Sequence, residues 1–478
     1  MKKGEIVDLN IEKYAFEGKG ISKILLEDNV EFPDKTFVVF VNHAYPGDKV
    51  KARIVKKKKS FAEAVIEEIV SPSPLRTKPL CKYFSTCGGC KQQDMNYDGQ
   101  VKFKQEQVVE TFERLGGFKE LNVDTIIKSE NVFHYRNKMD FSFADKRWLV
   151  ESEINNPEIV DRNFALGLHI PNMFDKVLDI NECFIQPVIG TGILNFTRDF
   201  FKSRNVPIYS TKTHTGFLRN LVIRFSFHTN DLMVNLVTSS EDEKLIGEYS
   251  SELLKRVPAV TTIINNINLK KASIALGDYE KVFHGSGFIY DLIGDNKFRI
   301  SANSFFQTNT LQAENLYKKT LEFCGLTGSE TVYDLFCGAG TISIFVSGKA
   351  NSVFGFESVA SAISDAETNC EINKIENVHF FRADLYNSIL PLVREGGLPL
   401  PDVIITDPPR SGMHQRTVDD IIELNPKKIV YVSCNPATQA RDVALLTASG
   451  YKLVKMQPVD MFPHTYHIEN IVLLEKSE

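Results

Sequence analysis

The 478-residue sequence predicts an α/β chain that ends in a Rossmann-like parallel sheet with helices on both faces. Two observations lead there. Five short β-forming segments, TVYDLF, SVFGFE, VHFFRAD, DVIITD and KIVYVS, recur with helical patterns between them, the rhythm of a parallel sheet covered on both sides. The first of them runs straight into a glycine-rich turn and then a helix, as in sheets that bind a ligand at their carboxyl edge.

The elements justify the division in order. Residues 1–72 alternate apolar and polar residues at period two, with a turn signal at YPGD, and predict a small oligonucleotide-binding-like β-barrel of five short strands. SPSPLRTKP then reads as a Pro-rich linker. Residues 73–300 predict a mixed α+β region, with a helix over DGQVKFKQEQVVETFERLG and strands over NKMDFSF, LVIRFSF and LMVNLVT. Residues 301–478 hold a helix from Leu311 to Cys324, the five parallel strands, and two closing strands at YKLVKMQPVDMF and IENIVLLE.

Composition narrows the class. Hydrophobic content of 43% and charged content of 24% fit a folded globular chain. No run of 18 apolar residues exists, so no membrane span is expected, and MKKGEIVDLN lacks the apolar centre of a secretory signal. The expectation is a cytoplasmic monomer. A net charge of −5 argues weakly against a nucleic-acid partner, but KVKARIVKKKK, from Lys49 to Lys59, carries seven positive side chains and no negative one. A local basic face of that kind suits phosphates whatever the total charge. HYRNKMDFSF and GFLRNLVIRFSF interleave Arg136, Lys138, Arg219 and Arg224 with aromatics, which serves RNA stacking or a sheet core equally well.

Four strand tips outline one crevice. Gly338 and Gly340 follow the first strand, Glu357 ends the second, Asp384 the third and Asp407 the fourth. Glu357, about twenty residues after the loop, suits ribose hydroxyls. The loop reads D-x-F-x-G-x-G and lacks the third glycine of a pyrophosphate site, which favours S-adenosylmethionine. The fifth strand ends at Cys434, just before Pro436 opens a helix. A thiol at that edge suits covalent catalysis on a pyrimidine: a thiolate added at carbon 6 of uracil makes carbon 5 nucleophilic enough to take a methyl group. Glu469, leading into the last strand after His464 and His467, is placed to receive the carbon-5 proton.

CKYFSTCGGC spaces Cys81, Cys87 and Cys90 as C-x5-C-x2-C, and NECFIQP offers Cys183 as a fourth ligand. Zinc and an iron–sulfur cluster both accept four thiolates. The three-plus-one spacing leans towards the cluster, with zinc as the alternative. Cys324, Cys337 and Cys370 read as structural.

At these residues the sequence resembles the RNA 5-methyluridine methyltransferase family. DPPRSG and SCNPAT match its two signatures, and FPHTYHIE matches the segment bearing its base. The resemblance implies a class I S-adenosylmethionine-dependent methyltransferase domain, with Cys434 as nucleophile and Glu469 as proton acceptor. FFQTN places Gln307 in the cofactor site, and Phe336, Glu357 and Asp407 carry over likewise. Among ribosomal RNA members a cysteine quartet holds a 4Fe-4S cluster, and Cys81, Cys87, Cys90 and Cys183 match it. The amino-terminal segment resembles a TRAM domain, an RNA-binding barrel. Cluster and barrel together imply 23S ribosomal RNA as substrate, with transfer RNA as the alternative. Two other readings compete. In one, DPPR is a relative of the amino-methyltransferase motif, with Arg410 in place of its aromatic residue. In the other, the chain is a non-catalytic RNA-binding iron–sulfur assembly factor.

Overall fold

Leu9, Val50, Ala52, Ile54, Ala62 and Ala64 all turn inward from the amino-terminal strands, and this period-two burial builds the first core. The computed structural model describes the chain except residues 1, 16–17, 26–35, 155, 157–161, 172, 272–274 and 478. The first sheet has six strands where five were expected. Its order is Ile6–Asn10, Lys49–Lys57, Phe61–Ser71, Thr36–Asn42, Lys19–Leu25 and Lys13–Ala15, because Lys13–Ala15 forms a short hairpin of its own with the strand after it. The basic run lies on the second of these strands and just beyond it, and three of its seven cations are paired with glutamates. Antiparallel pairing with Phe61–Ser71 sets Lys51 against Glu68 (2.8 Å), Arg53 against Glu67 (2.5 Å) and Lys56 against Glu63 (2.8 Å).

The Pro-rich stretch is anchored rather than loose. Arg76 bridges Asp48 and Asp94, each at 2.8 Å, so the stretch is held against the first sheet. The helix Tyr97–Leu115 follows and buries Gln100, Lys104 and Gln107 along with its apolar residues.

The central sheet has seven strands in the order Tyr279–His284, Thr262–Ile267, Leu232–Thr238, Leu218–Phe225, Lys138–Ala144, Ala165–Ile170 and Met173–Asp179. Its alternation serves the core: Phe141, Phe143 and Phe217 are buried. The arginines threaded among them act as tethers, not as an RNA surface. Arg219 donates to the carbonyls of Asn268 and Lys270, and Arg224 to those of Ala302 and Ser304. Arg224 thereby fixes the segment that opens the last unit. The hairpin Phe288–Ile293 and Asn296–Ser301 packs Ile289, Ile293, Phe298 and Ile300 into the core beneath the carboxyl-terminal sheet.

That last sheet also has seven strands, ordered Val378–Arg382, Ser352–Glu357, Thr331–Leu335, Val403–Thr406, Lys428–Ser433, Glu469–Lys476 and Tyr451–Val459. The first five are parallel, and Glu469–Lys476 runs antiparallel to both of its neighbours. Strand order reverses between Thr331–Leu335 and Val403–Thr406, so the carboxyl edge opens a crevice there. All seven strands, and the helix Thr310–Cys324, coincide with the sequence segments that predict them. Among the described residues no helix is long and apolar enough to cross a membrane.

Candidate active site

The crevice holds a cavity of about 690 Å³ whose wall includes Phe336, Gly338, Glu357, Asp384 and Asp407. The loop at its floor needs left-handed backbone at three positions: Phe336 (φ 65°), Gly338 (φ 54°) and Gly340 (φ 75°). At Gly340 a Cβ would stand 2.6 Å from the Phe380 ring, so only glycine lets the loop lie this close to the sheet. Phe336 takes the same conformation without that freedom, a strain characteristic of ligand clamps. The Gly338 N–H donates to Glu357 at 3.2 Å, which joins loop and second strand tip. Both glycines thus shape the site, but only Gly338 lies on the cavity wall. Gln307 does not lie on that wall: its backbone carbonyl accepts from Asn137 Nδ2 at 2.8 Å, at the foot of the helix Thr310–Cys324 whose Tyr317 hydroxyl lies 2.9 Å from Thr341 at the start of the loop's helix.

Strand pairing brings Cys434 and Glu469 to the same edge. The strands Lys428–Ser433 and Glu469–Lys476 pair antiparallel with Ser433 opposite Asn470 at the end of the ladder. Cys434 follows Ser433 in the bend beyond the strand, and Glu469 precedes Asn470. Burial pushes the Glu469 carboxyl well above its usual range, with Asp407 adding to the rise and Arg410 opposing it. Burial also raises the Cys434 thiol to about 11, helped by Glu469 and Asp407 and opposed by Arg410. Asp407 itself is raised to about 7, chiefly by burial and then by Asp334. Cys434, Glu469, Asp407 and Arg410 therefore form one electrostatic group.

The turns that carry them are tied together. The Asn435 side chain caps the helix Pro436–Ala448 and also donates to the Arg410 carbonyl at 2.8 Å. The Arg410 guanidinium reaches His467 at 3.2 Å. In the ligand-free protein Cys434 is a protonated thiol at neutral pH, so its thiolate fraction grows about tenfold per pH unit up to its pKa. Alkylation of Cys434 by iodoacetamide, followed by peptide mass spectrometry, is expected to accelerate steadily from pH 7 to pH 10. A rate that levels off below pH 8 would contradict the assignment.

Three residues of the site escaped the sequence reading. Arg410 entered it only as a substitute for an aromatic residue. Phe305, 71% exposed, lines the cavity mouth two positions before Gln307. Asp334 is fully buried, with one oxygen bonded to Ser343 and the other without a protein partner. Both belong to motifs that the sequence already singled out, FFQTN and D-x-F-x-G-x-G.

Cys81, Cys87, Cys90 and Cys183 line one small pocket with Tyr83, Leu168 and Ile185. Burial raises all four thiols, Cys90 to about 12 and Cys183 to about 11. The donor set fits a four-thiolate site in number and kind. Even so, among the described residues no three His, Cys, Asp or Glu side chains are gathered closely enough to hold a metal ion.

Comparison with known proteins follows this geometry. Residues 292–477 match the family described as tRNA (Uracil-5-)-methyltransferase. A relative from Chlorobaculum tepidum, described as an uncharacterized RNA methyltransferase, is 40% identical over all of this chain and 98% of its own length. The chain belongs to the RNA uracil-5 methyltransferase family. A relative from Porphyromonas gingivalis with the same description is 42% identical over 96% of this chain and 99% of its own length. Among solved structures, the Pyrococcus abyssi tRNA (uracil-54, C5)-methyltransferase in complex with S-adenosyl-L-homocysteine is 29% identical and covers 98% of this chain and 100% of its own, with a TM-score of 0.73. As a member of this family the protein is an enzyme, which sets aside the non-catalytic reading.

Proposed function

We propose that this methyltransferase forms 5-methyluridine in 23S ribosomal RNA, with Cys434 as nucleophile and Glu469 as proton acceptor. The observation that carries the reading is the closeness of Cys434 and Glu469 at the crevice: each adjoins the Ser433–Asn470 pair that ends the strand ladder, and the Glu469 carboxyl acts directly on the Cys434 thiol. S-adenosylmethionine, when bound, supplies an activated methyl group. The cavity fits it in size and in its polar wall, with Glu357 for the ribose hydroxyls, Asp384 for the adenine and the 336–340 loop beneath. Gln307 and Asp407 complete the proposed cofactor site.

The Cys434 thiol gives up its proton to solvent, and the thiolate adds to carbon 6 of the target uracil. The carbon 5–carbon 6 electron pair, now available at carbon 5, forms the bond to the methyl group as the methyl–sulfur bond breaks and leaves a neutral thioether. Once carbon 5 bears the new methyl group it still holds its hydrogen. Glu469 takes that proton, the freed electron pair restores the ring double bond, and the bond to sulfur breaks to return the thiolate. A base of raised pKa is the stronger acceptor for this step. Arg410, beside both groups, offsets the negative charge that each must carry in turn. The exocyclic-nitrogen reading leaves this thiol without work.

The three units, 1–72, 73–300 and 301–478, are read as a TRAM-like RNA-binding sheet, a central RNA-binding unit and the catalytic unit of a monomer. A 4Fe-4S cluster on Cys81, Cys87, Cys90 and Cys183 would staple the Cys81–Cys90 segment to the segment around Cys183 within the central unit. It is supported by the four thiols on one pocket. An anaerobic preparation is expected to carry about four irons per chain and to lose them when all four cysteines are changed to serine. Zinc in their place would overturn the cluster assignment.

Cysteine quartet and amino-terminal sheet support ribosomal RNA, whereas the end-to-end similarity to a transfer RNA enzyme supports the alternative. Purified enzyme incubated with methyl-labelled S-adenosylmethionine and in vitro transcripts of each is expected to label 23S ribosomal RNA and leave transfer RNA unlabelled. Label on transfer RNA alone would overturn the choice.

A further inference from the structure

The chain between the last two strands, 460–468, leads into Glu469 and has little regular structure of its own. It is nevertheless gripped at every carbonyl from 461 to 464. Asn309 donates to the Met461 carbonyl at 2.9 Å, Lys104 to Phe462 at 3.0 Å and the Tyr135 hydroxyl to Pro463 at 3.0 Å. The His464 carbonyl accepts two backbone N–H groups, from Lys91 (2.7 Å) and Gln92 (3.0 Å), immediately after Cys90. The His464 N–H donates to Gln100 Oε1 at 2.8 Å, while Gln100 Nε2 lies 3.2 Å from His464 Nδ1.

Two features set this grip apart from ordinary loop packing. His464 sits at φ 64°, left-handed backbone that a side chain resists and that surrounding bonds must hold. Lys104 is 1% exposed and places its ammonium 2.6 Å from Asp460, itself 0% exposed and bonded by the Tyr97 hydroxyl at 2.9 Å. A buried ion pair contributes little net stability but fixes one arrangement, since any other leaves a charge unpaired.

We propose that Gln100 and Lys104 of the helix Tyr97–Leu115, with the backbone of Lys91 and Gln92, are positioning groups that hold the 460–468 strap so that Glu469 stands beside Cys434. The inference rests on Glu469 as proton acceptor, and it identifies a control that acts on the second half of the reaction. Cys434 is carried by a different turn, so loosening the strap leaves thiol addition and methyl uptake in place and slows proton removal. The methylated covalent intermediate then accumulates.

Two variants test it. Gln100→Met keeps volume and loses the strap bonds along with those to the Gln92 and Met95 carbonyls. The paired Lys104→Met with Asp460→Asn removes both buried charges together and leaves Gln100 in place. The second keeps the test open if the first fails to fold. Each full-length protein is incubated with S-adenosylmethionine and the transcript that the wild type methylates. Turnover and denaturant-resistant protein–RNA adduct are then measured beside Glu469→Gln. Turnover is expected to fall at least about tenfold, with adduct well above the wild-type level, a partial version of losing the base. Wild-type turnover without adduct would overturn the inference, and so would a parallel fall of methyl transfer and adduct. If Glu469→Gln accumulates adduct and the strap variants do not, the inference alone fails. If Glu469→Gln itself forms none, the proton-acceptor assignment fails with it.

Discussion

Cys434→Ala is expected to lose methylation by at least about 10³-fold and to form no covalent complex with RNA. The alanine removes the sulfur that follows the end of the Lys428–Ser433 ladder at the crevice edge, beside the Glu469 carboxyl. Cys337 lies inside the glycine loop, is buried, and packs against Gly355 rather than towards that edge. The fold should survive the change. Cys434 is half-buried, and the turn around it is held by Asn435 and Ser433 through bonds that do not involve the thiol. Cofactor affinity, measured by calorimetry on the variant, is therefore expected to match the wild type, since the cavity wall is unchanged. Methylation equal to that of the wild type would refute the nucleophile assignment.

Glu469→Gln is expected to fail at a later stage. Glutamine keeps the shape of the site and cannot accept a proton, so methyl transfer to carbon 5 proceeds and the ring stays bonded to sulfur. Turnover should fall about 10² to 10⁴-fold while a denaturant-resistant protein–RNA band appears on a gel. Stability should move the other way. The carboxyl's folded-state pKa lies above its unfolded value, so the stability it lends is full below the unfolded pKa and is lost as pH rises through the folded one. Glutamine carries no such cost at pH 8. The variant's thermal midpoint is therefore expected to equal or exceed that of the wild type at pH 8, with the gap narrowing towards pH 5. A lower midpoint at pH 8 would mean that the carboxylate is stabilised by its surroundings, contrary to the burial argument.

The carboxyl-terminal unit was legible in the sequence because its strands are short apolar runs bounded by turns, and its acids fall at their ends. The central sheet was only partly legible. Leu232–Thr238 and Thr262–Ile267 are buried along their whole length, so the first stood out as an apolar run while the second, TIINNI, hides buried asparagines that mimic a loop. Asn265 earns its place by donating to the Leu236 carbonyl and Thr238 hydroxyl of the neighbouring strand. The glutamates beside the basic run were not legible as its partners. Glu63, Glu67 and Glu68 are remote enough in sequence to seem unrelated until the strands pair. Lys104 gave no signal at all. On a polar helix it resembles any solvated lysine, and its partner Asp460 stands 356 positions away in the chain. Pairings of that range come from tertiary packing and not from local pattern.

The central claim is that Cys434 and Glu469 act on one uracil ring. Its most direct test is tandem mass spectrometry of the denatured Glu469→Gln protein after reaction with S-adenosylmethionine and transcript. The expected species is the peptide containing Cys434, bonded through sulfur to a uridine that has gained one methyl group. Uridine attached to any other cysteine, or free 5-methyluridine released at the wild-type rate with no adduct, would contradict it.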